Sequence, residues 1–320
     1  MKGLRIVVAI LLFALLLFAP PYLVRGASVS YLDTLDVVKA PDFEGTLTIY
    51  HIASQKPYCG SLTNWLKARA AAYEKKHYGT HILIEGMGED AYWERLEHGR
   101  TPDGYSFFSG TLYAELLKPL AVSCGTLREG LFATSLAVPY CYTGYCTLTR
   151  EGKGTGVFGD AITLVRAGAQ GTLTERDDAA TLYVDWRTAG DLLRNSDLFM
   201  AATIAPLDGF TDQVAWLAVA KDADAAHAEA LTAFYAYLLT DEVQVSLNTL
   251  GACAVLEAVT DVAPESRMKA LMGAVRSVRT PDPLAWQRQA DALKADAAAA
   301  WAGDGDAQAR FWTRLQELLQ

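Results

Sequence analysis

The residues of this sequence with the clearest potential for binding chemistry are aromatic. Among the seven tryptophans, Trp186 follows a predicted strand, Trp216 lies within one, and Trp286 follows a proline-rich turn. A flat indole face can stack on the apolar CH face of a sugar ring or against an organic cation. Packing in the core is the competing role for all three, and for Trp216 it is the favoured role.

Two neighbouring residues and a tyrosine cluster offer further contacts. Ser109 follows a predicted strand and presents a hydroxyl or a helix-start donor to a polar ligand group, and Phe108 can form a wall beside it. Tyr140, Tyr142 and Tyr145 lie close together in the sequence. Phenolate oxygens can bind ferric iron, but structural packing is the favoured interpretation of this cluster.

Motifs of the common enzyme classes are absent from the sequence. There is no hydrolase nucleophile elbow, metalloprotease HExxH or nucleotide fingerprint. The glycine-rich segment EGKGTGVFG contains Lys153, but Gly154 follows where a phosphate loop needs Ser or Thr, so we interpret the segment as a surface loop. His77 and His81 flank a glycine, which indicates a helix end rather than a zinc site. We therefore expect no enzyme activity, no metal site and no cofactor.

Composition restricts the size class and the partners. The 320 residues are 51% hydrophobic and carry a formal net charge of −9, which argues against nucleic acid as a partner. A chain of this length can form two lobes. Its five cysteines are too few for a dense disulfide framework, and we expect small buried hydrophobic side chains at most of them.

The N-terminal residues have the pattern of an export signal. Lys2 and Arg5 precede an apolar run from Ile6 to Ala19, and cleavage before Ala27 would remove residues 1–26. Extension of the run to Val24 would make it an uncleaved membrane anchor instead. Both interpretations predict an extracytoplasmic protein. Residues 27–44 have no clear period and are predicted to be a linker.

The remainder of the sequence predicts an α/β fold. Strands Thr46–Tyr50, His81–Glu85 and Tyr105–Phe108 alternate with helices Ser61–His77 and Asp90–Glu97, which implies a parallel sheet with right-handed crossovers. Ligands of such sheets sit beyond the carboxyl ends of the strands. The other predicted elements are strand Val214–Ala220, helices Thr111–Leu117, Asp160–Ala167 and Leu231–Leu239, a short helix that ends at Gly251, and helices Pro264–Arg276, Trp286–Trp301 and Ala307–Leu319.

Four segments resemble one known family. They are WLKARAAAYEKKHYGTHILIEGMGEDAYWERL, TPDGYSFFSG, LAVPYCYTGYCTLTR and the stretch from Gln213 to Gly251, with its LLTDE. In content and order they resemble the family-1 extracellular solute-binding proteins, the maltose-binding-protein-like receptors of ABC importers. The resemblance implies a two-lobed periplasmic-binding-protein type 2 fold, with residues 45–141 and 214–252 in lobe 1 and residues 142–213 and 253–320 in lobe 2. Ala180–Asp185 and Phe199–Pro206 resemble successive strands of the family's second lobe and are therefore expected to be strands. In the family, the chain crosses from lobe 1 to lobe 2 within a segment like LAVPYCYTGYCTLTR and returns in a strand like the one after Gln213. Only about seventy residues separate these two crossings here, so lobe 2 is expected to be smaller than in typical members.

The resemblance also implies a function and a site. The protein would bind a small polar solute, with carbohydrate as the leading class, and deliver it to the permease subunits of an ABC transporter. His51, Trp186 and Trp286 lie where members contact ligand, and Trp216 lies in the strand that returns beside the cleft. A polyamine or another small organic solute is the alternative ligand. A membrane-tethered sensor or interaction domain is the alternative role, because no lipid-attachment cysteine follows the N-terminal apolar run and the second lobe is short.

Overall fold

The structure, a computed structural model, describes residues 43–207, 209–274 and 278–319. The predicted export segment and all but the last two residues of the predicted linker lie outside the described residues. Within the described ranges, no helix is long and apolar enough to cross a membrane.

The α/β class predicted from the sequence is confirmed. The strands are β1 (Gly45–Ile52), β2 (Thr80–Met87), β3 (Gly104–Phe108), β4 (Leu117–Lys118), β5 (Val138–Tyr142), β6 (Tyr145–Thr149), β7 (Gly156–Gly159), β8 (Thr172–Leu173), β9 (Thr181–Asp185), β10 (Thr203–Leu207), β11 (Gly209–Phe210), β12 (Val214–Ala220), β13 (Cys253–Ala254) and β14 (Val278–Arg279). The α-helices are α1 (Leu62–Glu74), α2 (Glu89–Glu97), α3 (Ala161–Arg166), α4 (Trp186–Asn195), α5 (Ala225–Leu238), α6 (Asp241–Gln244), α7 (Ser266–Ala274), α8 (Pro283–Trp301) and α9 (Gly305–Leu318). Two 3-10 helices cover Ala114–Leu116 and Val245–Leu250.

The first sheet has the strand order β13-β5-β12-β3-β1-β2, and β4 pairs with β12 at the side of this path. β1, β2 and β3 are parallel, whereas β12 is antiparallel to its neighbours β3 and β5. All seven residues of β12 are buried, because the strand is central and covered on both faces. Its continuous apolar run is what such a position requires. This sheet, with α1 and α5 packed on it, is here called the first lobe.

The second sheet has the order β10-β6-β9-β7-β8. β7 and β9 run parallel, and β6 is antiparallel to both β9 and β10. Helices α3 and α4 pack on this sheet, α7 packs on β10, and α8 lies between α3 and α9. This sheet and these helices are here called the second lobe.

The chain passes between the lobes three times. The passages run from β5 to β6, from β10 to β12, and from β13 to α7. β13 pairs with β5 in the first sheet, so the last passage begins just beyond it. The first two passages lie next to each other, because Thr143 N donates a hydrogen bond to the Gln213 carbonyl oxygen at 3.0 Å and Thr143 Oγ1 donates to Gln213 Oε1 at 2.9 Å.

The described residues form two hydrophobic clusters, of which one contains three of the cysteines and the other contains Trp286. One large cluster runs through the first sheet, the passages and the second sheet, and a smaller cluster joins α3, α8 and α9 around Trp286 and Phe311. All five cysteines are free thiols; Cys141, Cys146 and Cys253 are buried, and the other two are partly buried. Their role as small hydrophobic residues is therefore confirmed for these three positions.

Three local predictions were wrong. The helix predicted over Thr111–Leu117 is a 3-10 turn followed by β4, because pairing with β12 supplies backbone hydrogen bonds that so short a helix could not outweigh. The strand predicted from Phe199 begins only at Thr203, and Phe199 packs instead against the Arg150 guanidinium, 4.7 Å from its ring centroid. The glycine-rich segment ends in a strand, β7, because non-local pairing with β9 holds Gly156–Gly159 extended.

Candidate functional site

The ends of parallel strands in the two lobes lie around a common cleft. In the first lobe, β1, β2 and β3 end at one edge of the sheet, and Gln55, Glu89 and Ser109 follow them. In the second lobe, Asp160 follows β7 directly. These are the positions at which ligands of α/β sheets bind, beyond the carboxyl ends of the strands.

The inter-lobe cleft has a volume of about 510 Å³. The first lobe contributes the three residues that follow its strands, together with Gly110. The passages contribute Tyr145 and Asp212, which form the floor. The second lobe contributes the start of α3 and one face of α8, namely Asp160, Ala161, Ile162, Trp286, Gln287, Ala290, Asp291 and Lys294.

The two floor residues form a partly buried polar group with Arg166, which does not itself line the cleft. The Tyr145 hydroxyl donates a hydrogen bond to Asp212 Oδ1 at 2.7 Å. The Arg166 guanidinium lies between two rings, 4.7 Å from the Tyr145 centroid and 4.6 Å from that of Phe210. Burial raises the pKa of Asp212, opposed by the Tyr145 hydrogen bond and the charge of Arg166. Burial lowers the pKa of Arg166, so each charge of this group depends on the other.

Gln55 places an unsatisfied acceptor at the cleft. Its side-chain oxygen is buried and accepts no hydrogen bond from any described residue, although Gln55 lines the cleft. A buried carbonyl oxygen without a donor costs about 1–3 kcal/mol. An N–H or O–H group of a molecule in the cleft would satisfy it.

The rim carries more negative than positive charge. Glu89, Asp160 and Asp291 are exposed carboxylates of the lining, and Lys294 is its single ammonium group. Lys294 Nζ lies 3.9 Å from Asp291 Oδ1, and both side chains are exposed, so this pair contributes little to stability. Asp160 also caps α3, accepting hydrogen bonds from Thr163 N at 2.9 Å and Thr163 Oγ1 at 2.6 Å.

Of the seven residues predicted to contact ligand, Ser109 and Trp286 line the cleft. Ser109 Oγ accepts a hydrogen bond from Trp216 Nε1 at 2.9 Å, so its hydroxyl proton remains free to donate. Trp286 is only 5% exposed because its ring packs against Phe210, with centroids 5.7 Å apart. It therefore offers the cleft little of its ring surface.

Trp186 and Trp216 have no exposed surface. Trp186 begins α4, and its Nε1 donates to the Tyr145 carbonyl oxygen at 3.3 Å. Trp216 lies in the central strand β12 and packs edge-on against Phe132. Both side chains support the residues of the cleft from behind and do not line it.

The remaining three predicted residues belong to the interior of the first lobe. His51 Nδ1 is 2.9 Å from Ser106 Oγ, which is 2.9 Å from the Tyr140 hydroxyl oxygen. Burial lowers the pKa of His51 to about 4 and raises that of Tyr140, so both are neutral at pH 7. Phe108, 2% exposed, packs beside His51 with ring centroids 6.4 Å apart.

Most of the lining was not predicted from the sequence, including the polar residues Gln55, Glu89, Asp160, Asp212, Gln287, Asp291 and Lys294. The strand-end rule could have found Gln55 and Glu89, because both closely follow predicted strands. Asp160 follows β7, which the sequence pattern predicted as a loop, so the rule could not have found it. Asp212 and Lys294 carry no such signal, since their place in the cleft depends on how the passages and α8 pack. In the described part of the chain, no three His, Cys, Asp or Glu side chains are grouped so that they could hold a metal ion.

No protein-family profile matches the sequence, and no curated protein matches it. Solved structures do match. The maltodextrin-binding protein MalE1 from L. casei BL23 without ligand aligns with a TM-score of 0.60 and 13% identity, covering 87% of this chain and 98% of that chain. The cyclic α-maltosyl-1,6-maltose-binding protein from Arthrobacter globiformis aligns with a TM-score of 0.62 and 10% identity, covering 87% of this chain and 99% of that chain. Iron-bound HitA from Pseudomonas aeruginosa aligns with a TM-score of 0.52 and 16% identity, covering 79% of this chain and 98% of that chain.

At these identities the comparisons show the fold. Together with the two sheets and three passages, they confirm the prediction of a two-lobed periplasmic-binding-protein type 2 fold.

Proposed function

We propose that the protein is the extracytoplasmic solute-binding component of an ABC importer, of the family-1 type, and that it binds a small polar solute in the inter-lobe cleft. The observation that carries this proposal is the composition of the cleft, whose lining comes from the strand ends of both lobes and from the passages between them. A solute held there contacts both lobes at once. Binding then favours the closed state, because only differential affinity shifts such an equilibrium.

Binding without chemistry agrees with the side chains at hand. The lining formed by the described residues contains no cysteine and no histidine, and its one serine, Ser109, accepts a hydrogen bond from Trp216 Nε1. The nucleophile and base that covalent catalysis requires are not paired in the cleft. The permease subunits of the importer are the proposed protein partners, and the predicted export segment would place the receptor outside the cytoplasm.

Carbohydrate is the first ligand class to test. Two of the structures that share the fold bind maltodextrin or a cyclic maltosyl-maltose according to their names. Hydroxyl groups of a sugar could donate to Gln55 Oε1 and to the floor carboxylate of Asp212, and could accept from Lys294.

An amine-bearing solute, such as a polyamine, is the second class. The specific observation in its favour is the charge of the lining, with four carboxylates (Glu89, Asp160, Asp212 and Asp291) against one lysine. Arg166 offsets part of this charge beneath the floor. Trp186, Trp216 and Trp286 present no open face for stacking on a sugar ring, which favours recognition by charge and hydrogen bonds.

A melting screen of the protein against sugars and amines tests the proposal. A ligand at about 100 times its Kd adds roughly 2.7 kcal/mol to the free energy of unfolding, which raises the melting midpoint of a domain this large by about 5 °C. Sugars alone raising the midpoint supports the first class, and amines alone supports the second. A folded protein that responds to neither would count against both.

Two variants separate the ligand classes further. Glu89→Gln removes an exposed rim charge and keeps the side-chain size, so it should weaken an amine and leave a neutral sugar unaffected. Lys294→Met should strengthen the binding of amines, because it removes a charge of the same sign as theirs. Glu257→Gln, distant from this cleft in the lining of another surface depression, is the control and should change neither.

A further inference from the structure

Tyr58 connects the two lobes at a second place, outside the lining of the cleft. It lies in the loop between β1 and α1, on the first lobe, and is 1% exposed. Its hydroxyl donates a hydrogen bond to Glu265 Oε1, just before α7 in the second lobe. The Arg194 guanidinium of α4 stacks on its ring, 4.8 Å from the centroid, and Arg194 Nη2 donates to the Tyr58 carbonyl oxygen at 3.0 Å.

Glycines on both sides make room for this ring. A Cβ atom at Gly190, in the middle of α4, would lie 2.8 Å from Tyr58 Cε2, and one at Gly251 would lie 2.8 Å from Tyr58 Cβ. Gly251 has a φ of +62° and ends the 3-10 helix Val245–Leu250. Gly251 lets the loop lie close to the 3-10 helix of its own lobe, and Gly190 lets it lie close to α4 of the second lobe.

The contact lies on the side of the hinge where the lobes separate. The loop that carries Tyr58 leaves the carboxyl end of β1, at the edge that also carries Glu89 and Ser109, and its Gln55 lines the cleft. Helix α4 starts at the carboxyl end of β9, which is parallel to β7 and shares its edge with Asp160. Rotation that moves these two edges apart must break the bond to Glu265 and the stack on Arg194.

We propose that Tyr58 is a tether that holds the lobes together in the ligand-free protein and so sets how far the open state is populated. A ligand acts on a two-state equilibrium only through its differential affinity for the states. The tether therefore lowers the free energy that a ligand must supply to close the lobes, because part of the contact between the closed lobes is already formed in the absence of ligand. Loss of the tether would make the ligand-free protein more open.

The test uses Gly190→Ala in the ligand-free, full-length protein. Alanine is a better helix former than glycine, so α4 is not weakened. The added methyl group would lie 2.8 Å from Tyr58 Cε2 and 2.9 Å from Arg194 Nη2, and it therefore displaces the contact between these two side chains. Gly305→Ala, at the start of α9 with no atom within 4 Å of the added Cβ, is the matched control. Tyr58→Phe, which loses only the bond to Glu265, and Tyr58→Ala, which loses the ring, complete the series.

Two readouts distinguish lobe separation from local loosening. One is the rate of thiol labelling at Cys59, a partly buried neighbour of Tyr58, measured by mass spectrometry against the partly buried Cys124. The other is amide exchange in the cleft-edge segments 105–112 and 158–165. We expect Gly190→Ala to speed labelling of Cys59 several-fold, with Cys124 unchanged, and to speed exchange in both edge segments, while Gly305→Ala behaves as wild type.

Wild-type exchange in both edge segments of Gly190→Ala would overturn the tether, even if Cys59 were labelled faster, because the effect would then be local packing. Failure of Tyr58→Ala to fold leaves Gly190→Ala decisive. None of these readouts requires a ligand, so they stand apart from the test of solute binding.

Discussion

At the scale of single residues, the buried chain of His51, Ser106 and Tyr140 shows how the first lobe uses a polar group without exposing it. All three side chains are at most 1% exposed and hydrogen-bond in series. A neutral histidine can take part in such a chain as donor or acceptor. A charged one has no ion-pair partner among the described residues, and burial therefore lowers the pKa of His51.

This chain predicts a pH dependence of stability. The folded protein keeps His51 neutral down to about pH 4, whereas the unfolded chain takes up a proton near pH 6.5. Stability is therefore lost as the pH falls from 6.5 towards 4, by up to about 3 kcal/mol, and this contribution is fully present above pH 6.5. Urea unfolding at pH 7.5 and pH 4.5 should show a smaller loss for His51→Gln, which cannot titrate, than for wild type. An equal loss in both proteins would contradict the account.

At the scale of elements, the second lobe starts two helices with the same motif. Asp160 caps α3 and Asp185 caps α4, and each carboxylate binds both the backbone N and the Oγ1 of a threonine three residues later. The motif fixes where the chain turns from strand to helix. In α3 it also holds Asp160 at the cleft.

Asp185→Ala should therefore lower the free energy of unfolding by about 1 kcal/mol, because Thr188 N and Oγ1 both lose their acceptor. Asp177→Ala is a suitable control, since the exposed Asp177 side chain forms an ion pair with its neighbour Arg176, and the hydrogen bond from Arg150 is to the backbone carbonyl oxygen, which alanine keeps; this variant should unfold as wild type does. Chemical denaturation of the three proteins measures the difference. A stability of Asp185→Ala equal to that of the control would show that the cap is dispensable.

A second element-scale prediction concerns two glycines with left-handed backbone. Gly130 (φ +81°) and Gly152 (φ +70°) both disfavour a side chain, but only Gly130 is crowded, by the Val278 carbonyl of β14. Gly152→Ala should cost about 1 kcal/mol, the backbone strain alone. Gly130→Ala should cost at least about 3 kcal/mol, since β14 must also move. Equal losses in thermal unfolding would place the cost in the backbone and not in the contact.

The sequence predicted elements well where the apolar pattern is strong and local. The run Val214–Ala220 and the stop at Gly251 were both correct, the first because the strand is wholly buried and the second because the chain needs a positive φ there. Patterns failed where non-local pairing decides, as in β4 and β7. In the site, the tryptophans were predicted to contact ligand, but the side chains of Trp186 and Trp216 pack inside the lobes. Polar residues that follow strand ends, such as Gln55, line the cleft instead.

At the scale of the whole molecule, the arrangement of two sheets and three passages gives the structure its functional meaning. The cleft is the place where residues far apart in sequence, from Gln55 to Lys294, meet. Tyr58 joins the same two lobes nearby through Arg194 and Glu265. A solute in the cleft and the tether beside it would thus act on one equilibrium, the opening and closing of the lobes.

The most direct test of the central claim is amide exchange with and without the compound that raises the melting midpoint most. If the compound binds between the lobes, we expect slower amide exchange in both lobes at once. The protected segments would lie around Gln55 and Ser109 in the first lobe and around Asp160 and helix α8 in the second. Protection confined to one lobe, or to surfaces away from these segments, would contradict binding between the lobes.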